Sequence, residues 1–173
     1  GFSQSASAWR PVQDAAPDLD IVALEVPRGR TFADTARALG EAGGPGVYLG
    51  YSMGGRLCLE LAVQEPDLLD GLVLVSSGPG IADETERAAR AEADRATAAR
   101  VAELGVEAFL AEWVAQPIFA TLPPARAQVA ERAVAHDVAS LQHQLVALQR
   151  LAQVADSFYL YSHIIIINLI CLI

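Results

Sequence analysis

Gly50-Tyr51-Ser52-Met53-Gly54-Gly55-Arg56 lies between the apolar run Val47-Tyr48-Leu49 and an amphipathic segment opening at Leu57. That order reads as strand, sharp turn and helix. A serine held in such a turn has to clear both neighbouring elements, so the positions two before and two after it tolerate little beyond glycine; Gly50 and Gly54 fill them. The turn exposes the Ser52 hydroxyl at the carboxyl edge of a sheet. It also points the Met53 backbone N–H, at a helix N-terminus, toward developing negative charge. A glycine-rich turn with an incidental serine is the plain alternative; the flanking strand and helix argue against it.

Outward from the turn, strands and helices alternate. Leu19-Asp20-Ile21-Val22-Ala23-Leu24, closed by Val26-Pro27, predicts a buried strand. Thr31 followed by Asp34 approximates a capping box and predicts a helix from about Phe32 to Ala42. Val47 to Ser52 is the next strand. In the following helix Leu57, Cys58, Leu61 and Ala62 share a face, and Pro66 stops it. Gly71-Leu72-Val73-Leu74-Val75-Ser76 supplies another strand. Nearly unbroken apolar strands alternating with helices predict a parallel sheet with helices on both faces.

After Pro79 the pattern turns helical. Asp83 and Glu86 resemble a capping box for a helix reaching Leu104, with Gly105 as a left-handed cap. A second helix spans Val106 to Ala115, a third begins at Pro123-Pro124 and runs to about Ala135, and Asp137 caps a fourth carrying Leu141, Leu145, Leu148 and Leu151. Such an excursion from a sheet reads as a lid; a separate bundle is the alternative, and no linker sets one off. From Phe158 onward the chain lacks alanine, glycine and acids. This stretch falls short of the about 18 apolar residues of a membrane span. It admits a buried parallel strand over Ile164 to Ile167, but the leading reading is a reading-frame or assembly junction. The chain thus divides into a partial core with the turn (1–78), a helical lid (79–156) and an anomalous apolar tail (157–173), and it reads as truncated at both ends.

The chain has 173 residues, is 53% apolar and carries a formal net charge of −9, which suits one domain with a sizeable core. That acidity argues against nucleic acid, whose binding draws on clustered Lys and Arg. Two cysteines, Cys58 and Cys171, form neither a disulfide framework nor a metal site. A reducing, cytoplasmic setting without a membrane is expected.

Gly1-Phe2-Ser3-Gln4 resembles the remainder of the His-Gly-Phe oxyanion loop of α/β-hydrolases, and residues 50–56 resemble their nucleophile elbow. More narrowly, the elbow with Arg56, the stretch Ser76-Ser77-Gly78-Pro79-Gly80-Ile81 and the stretch Glu112-Trp113-Val114-Ala115-Gln116-Pro117-Ile118-Phe119 resemble 2-succinyl-6-hydroxy-2,4-cyclohexadiene-1-carboxylate synthases of menaquinone biosynthesis. The resemblance covers about residues 1 to 155. It implies an α/β-hydrolase fold and a lyase that abstracts a proton to expel pyruvate from a small polycarboxylate, with no cofactor and no metal. It also implies roles: Ser52 as the catalytic serine, the N–H groups of Phe2 and Met53 as oxyanion hole, Arg56 and, on looser spacing, Arg132 as partners of substrate carboxylates, and Trp113 as a pocket wall. Guanidinium forks suit such a substrate because their paired donors match carboxylate geometry and stay charged. Arg56 and Arg132 also read as solvated helix residues, Trp113 as a lid-core aromatic and Trp9 as packing. The stretch Glu25-Val26-Pro27-Arg28-Gly29-Arg30 departs from the Asp-x-x-Gly-His-Gly loop of many relatives.

A serine needs a histidine oriented by a carboxylate. His136 and His143 fall in predicted lid helices and read as solvent-facing, His163 belongs to the tail, and Asp137 and Asp156 read as a cap and a helix end, so none is assigned to a triad. The expectation is a lyase or a truncated copy of one; a carboxylic ester hydrolase acting through an acyl-serine, or a non-catalytic remnant, are the alternatives. The chain alone is expected to fold poorly and to be nearly inactive.

Overall fold

The structure, a computed structural model, describes residues 1–78, 80–123, 127–147 and 164–167. A short 3-10 turn leads into α1 (Arg10–Ala15), followed by α2 (Phe32–Gly43), β1 (Gly46–Tyr51), α3 (Met53–Gln64) and β2 (Leu69–Val75). Among the described residues the helices α4 (Glu84–Leu104), α5 (Val106–Val114), α6 (Val129–Ala135) and α7 (Val138–Ala147) come next. β3 (Ile164–Ile167) closes the described chain. The strands form a parallel sheet in the order β1-β2-β3, with Leu49 opposite Val73 and Leu74 opposite Ile166. The open reading of Ile164 to Ile167 as a parallel strand is the one the backbone adopts.

The predicted caps form. Thr31 Oγ1 accepts from the Asp34 N–H at 3.2 Å and Asp83 Oδ1 accepts from the Glu86 N–H at 2.9 Å, each satisfying a donor that the first helical turn leaves free. Asp137 Oδ1 does the same for the Ser140 N–H at 2.7 Å. Asp83→Ala should therefore cost about 1 kcal/mol of stability, measured by denaturant titration, with no change in the cavity described below.

α3 buries two faces. Leu57 and Leu61 pack with Phe32 and Ala36 of α2, while Leu59 and Ala62 pack on Leu72 and Leu74 of β2. This corrects the single stripe expected from the sequence, which left out Leu59, 1% exposed. A second core lies within the helical layer, where Phe2 inserts among Ala98, Val101, Phe109, Leu110, Leu141 and Leu145. Leu148 and Leu151 lie outside the described residues.

Two further expectations are corrected. The run Leu19 to Leu24 is not a strand. The run pairs with no described strand of the sheet. The Ile21 carbonyl instead accepts from Gln13 Nε2 at 2.9 Å, and Leu19 and Val22 are exposed. The third helix of the layer runs from Val129, because Gln128 adopts a left-handed φ of 50° and interrupts it; Pro124 lies outside the described residues.

Candidate active site

Ser52 caps α3 at the end of β1 with φ 50° and ψ −116°, a conformation serine rarely adopts. What holds it there is the crossing of strand and helix. The Ser52 N–H donates to the Val75 carbonyl at 2.9 Å, which ties the turn to β2, and the Arg56 N–H donates to the Ser52 carbonyl at 3.2 Å, which starts the helix. A Cβ on Gly50 would lie 2.4 Å from Gly55 Cα, and one on Gly55 would lie 2.6 Å from Ser77 Cβ. A Cβ on Gly54 would meet nothing within 4 Å. The tight pair is thus Gly50 and Gly55, not Gly50 and Gly54 as the motif spacing suggests, since Gly54 faces away from the strand it follows.

Beside Ser52 opens a cavity of about 350 Å³ lined by Phe2, Tyr51, Ser52, Trp113, Phe119 and Arg132 among others. Its apolar wall is an aromatic stack: Trp113 lies 4.9 Å from Phe2 and 6.2 Å from Phe119 between ring centroids. Arg132, on α6, is only 6% exposed, and its Nε has no hydrogen-bond partner among the described residues. Burial lowers the pKa of this guanidinium, with Tyr51 and Glu131 opposing. Burial likewise raises the pKa of the Tyr51 phenol, against the pull of Arg132. Met53 is buried at the first position of α3, where its N–H is one of those the helix leaves without an intrahelical partner.

Four of the six residues singled out in the sequence, Ser52, Phe2, Trp113 and Arg132, meet at this cavity. Arg56 does not line it. Its guanidinium lies half-buried within electrostatic range of Arg90 and Asp94 of α4; burial and then the Arg90 charge lower its pKa, and Asp94 opposes them. Asp94 is itself bonded to Arg90 Nε at 2.8 Å. Tyr51 was missed in the sequence, although its place next to Ser52 signalled it.

His143 is exposed, as expected. His136 is not: it is half-buried at the end of α6, with Nε2 3.1 Å from the Ser3 carbonyl. Burial lowers its pKa from the usual 6.5, the bond to Ser3 raises it, Arg28 lowers it, and Asp137 and Glu25 raise it. Among the described residues no imidazole or carboxylate hydrogen-bonds to Ser52 Oγ; His163 and Asp156 lie outside them. No group of three or more His, Cys, Asp or Glu suited to a metal occurs among the described residues, and no described helix is long and apolar enough to cross a membrane.

Comparison with known proteins identifies the family to which this fold belongs. The chain is 33% identical over 141 residues to a 2-succinyl-6-hydroxy-2,4-cyclohexadiene-1-carboxylate synthase of Klebsiella pneumoniae (strain 342), covering 73% of this chain and 55% of that protein. It is 31% identical over 137 residues to a putative synthase of the same name from Bacillus subtilis (strain 168), covering 70% of this chain and 50% of that protein. The chain spans about half the length of the curated relatives it matches. Among solved structures, MenH from S. aureus superposes with a TM-score of 0.72 at 17% identity, over 97% of this chain and 82% of that one. A thermophilic esterase from Thermogutta terrifontis superposes with a TM-score of 0.65 at 20% identity, over 97% of this chain and 68% of that one. A profile of the family described as alpha/beta hydrolase fold matches residues 31–153. The chain belongs to the α/β-hydrolase fold family.

Proposed function

We propose that this chain derives from a 2-succinyl-6-hydroxy-2,4-cyclohexadiene-1-carboxylate synthase, a lyase that removes a proton from a cyclic polycarboxylate so that the released electron pair expels pyruvate. The observation that carries this reading is the convergence on one aromatic-walled cavity of Ser52 and the buried Arg132, whose Nε has no hydrogen-bond partner among the described residues. A fixed cation facing a hydroxyl suits an anionic substrate better than a neutral ester. Ser52 Oγ is the proton acceptor in this scheme, the Phe2 and Met53 N–H groups stabilise the charge that develops on oxygen, Trp113 bounds the ring, and Arg132 holds a carboxylate. Arg56 would take a second carboxylate only after its guanidinium swings from Arg90 and Asp94 toward the cavity. The helical layer after β2 acts as the lid over the sheet that carries Ser52, β3 belongs to that sheet and not to a separate tail, and the protein works in the cytoplasm without cofactor.

Proton abstraction by Ser52 requires an imidazole to take up its own proton. Among the described residues no imidazole bonds to Ser52 Oγ, and negligible turnover with substrate binding retained is the behaviour proposed for the 173-residue chain. The test is to titrate the polycarboxylate against Trp fluorescence while following pyruvate release. Saturable binding without pyruvate is the expected result. An acyl-enzyme burst with an activated ester, abolished by Ser52→Ala and accompanied by no polycarboxylate binding, would replace this reading with an ester hydrolase acting through an acyl-serine; the T. terrifontis neighbour is named an esterase.

A further inference from the structure

Two side chains of the helical layer, neither lining the cavity, grip the loop that carries Phe2. Residues Gly1 to Gln4 close a tight turn, with the Gln4 N–H donating to the Gly1 carbonyl at 3.2 Å. Ser3 takes the third position with a φ of 59°. That left-handed conformation comes freely to glycine and not to serine. Ser3 is also wholly buried, so both of its backbone polar groups need partners.

Neither partner is local. The Ser3 N–H donates to Gln144 Oε1 of α7 at 3.1 Å, and the Ser3 carbonyl accepts from His136 Nε2, at the end of α6, at 3.1 Å. A carbonyl only accepts, so Nε2 carries the proton in this contact. The other ring nitrogen lies 3.4 Å from Ser140 Oγ. The neighbouring Phe2 ring is clamped separately, between Phe109 and Trp113.

We propose that His136 and Gln144 are positioning residues of the oxyanion loop: by bonding both polar groups of Ser3 they hold its left-handed turn, and with it the Phe2 N–H, beside Ser52. The seating of α6 and α7 then decides whether the oxyanion hole is assembled, which makes the helical layer a condition of catalysis as well as a cover. This inference rests on the role given to the Phe2 N–H above and extends it to two residues that touch no reacting atom.

The test is hydrogen exchange of the 173-residue chain, together with the emission of Trp113 in a Trp9→Phe background. His136→Ala should speed exchange at the Ser3 and Gln4 amides by about tenfold or more and shift Trp113 emission to the red, while amides of β2 stay within about twofold of the parent. Gln144→Ala should do the same. Gln144→Glu keeps an acceptor and should exchange like the parent. Ser3→Gly, which enters the left-handed turn without strain, should restore slow exchange when added to His136→Ala.

Unchanged exchange in His136→Ala, or acceleration shared equally by β2, would overturn the proposal. So would a Ser3→Gly addition that rescues nothing, including folding if His136→Ala alone does not fold. None of these readouts needs turnover. Failure of the lyase reading would appear in polycarboxylate binding, and failure of the clamp in exchange at residues 3 and 4.

Discussion

Gly50→Ala should destabilise the protein by about 3 kcal/mol, whereas Gly54→Ala, in the same motif, should leave stability unchanged or raise it by about 0.5–1 kcal/mol. The asymmetry follows from what each added methyl would meet. At Gly50 the obstacles are Gly55 Cα at 2.4 Å, Gly55 N at 2.5 Å and the Gly54 carbonyl at 2.6 Å, all backbone atoms of α3. Backbone cannot rotate aside as a side chain can, so strand and helix must separate, and α3 is held by buried contacts on two faces. Gly54 is helical and open, and there alanine gains over glycine by restricting the unfolded chain. Gly55→Ala belongs with Gly50→Ala. Its methyl would lie 2.6 Å from Ser77 Cβ and 2.9 Å from the Gly50 carbonyl, so adding Ser77→Gly should recover part of the loss. Denaturant midpoints of the four variants decide the matter; equal losses at Gly50 and Gly54 would show that motif spacing, and not the observed approach of α3 to β1, governs the turn.

The same contrast marks how far the sequence could be read. Local signals were legible because their physics is local. Thr31 with Asp34 and Asp83 with Glu86 are bonds within one turn, and Pro66 and Gly105 end helices through their own backbone preferences. The elbow at Ser52 was legible for the same reason. What escaped depended on partners far away in the chain. Leu19 to Leu24 has the composition of a strand, but a strand is made by its ladder, and the run pairs with no described strand. Gly55 owes its constraint to Ser77, beyond the whole of α3. His136 read as an exposed helix end because Ser3, 133 residues earlier, is what covers it. Arg56 has a substrate carboxylate for partner only through the family resemblance, and the charges it meets in the fold, Arg90 and Asp94, come from a helix whose packing the periodicity does not reveal.

Arg132→Met should move stability and binding in opposite directions. Arg132 is 6% exposed and its Nε has no hydrogen-bond partner among the described residues, so the folded chain carries a desolvated donor that Tyr51 and Glu131 offset only in part. An unpaired buried polar group of this kind costs about 1–3 kcal/mol, and an apolar side chain of similar length removes the penalty while filling most of the space. A rise of about 1 kcal/mol in unfolding free energy is expected without ligand. Polycarboxylate affinity should fall by about thirtyfold or more, because truncating one partner of a buried charge pair costs about 2 kcal/mol at the least. Added salt should weaken binding to the parent and affect the variant much less, since screening acts only where the charge remains. The two measurements are independent, one by denaturant titration and one by Trp fluorescence. A variant that binds as tightly as the parent would remove Arg132 from the substrate site. A variant that loses stability instead would show the guanidinium to be satisfied in solution, and the cavity would then lose the fixed cation on which its preference for an anionic substrate depends.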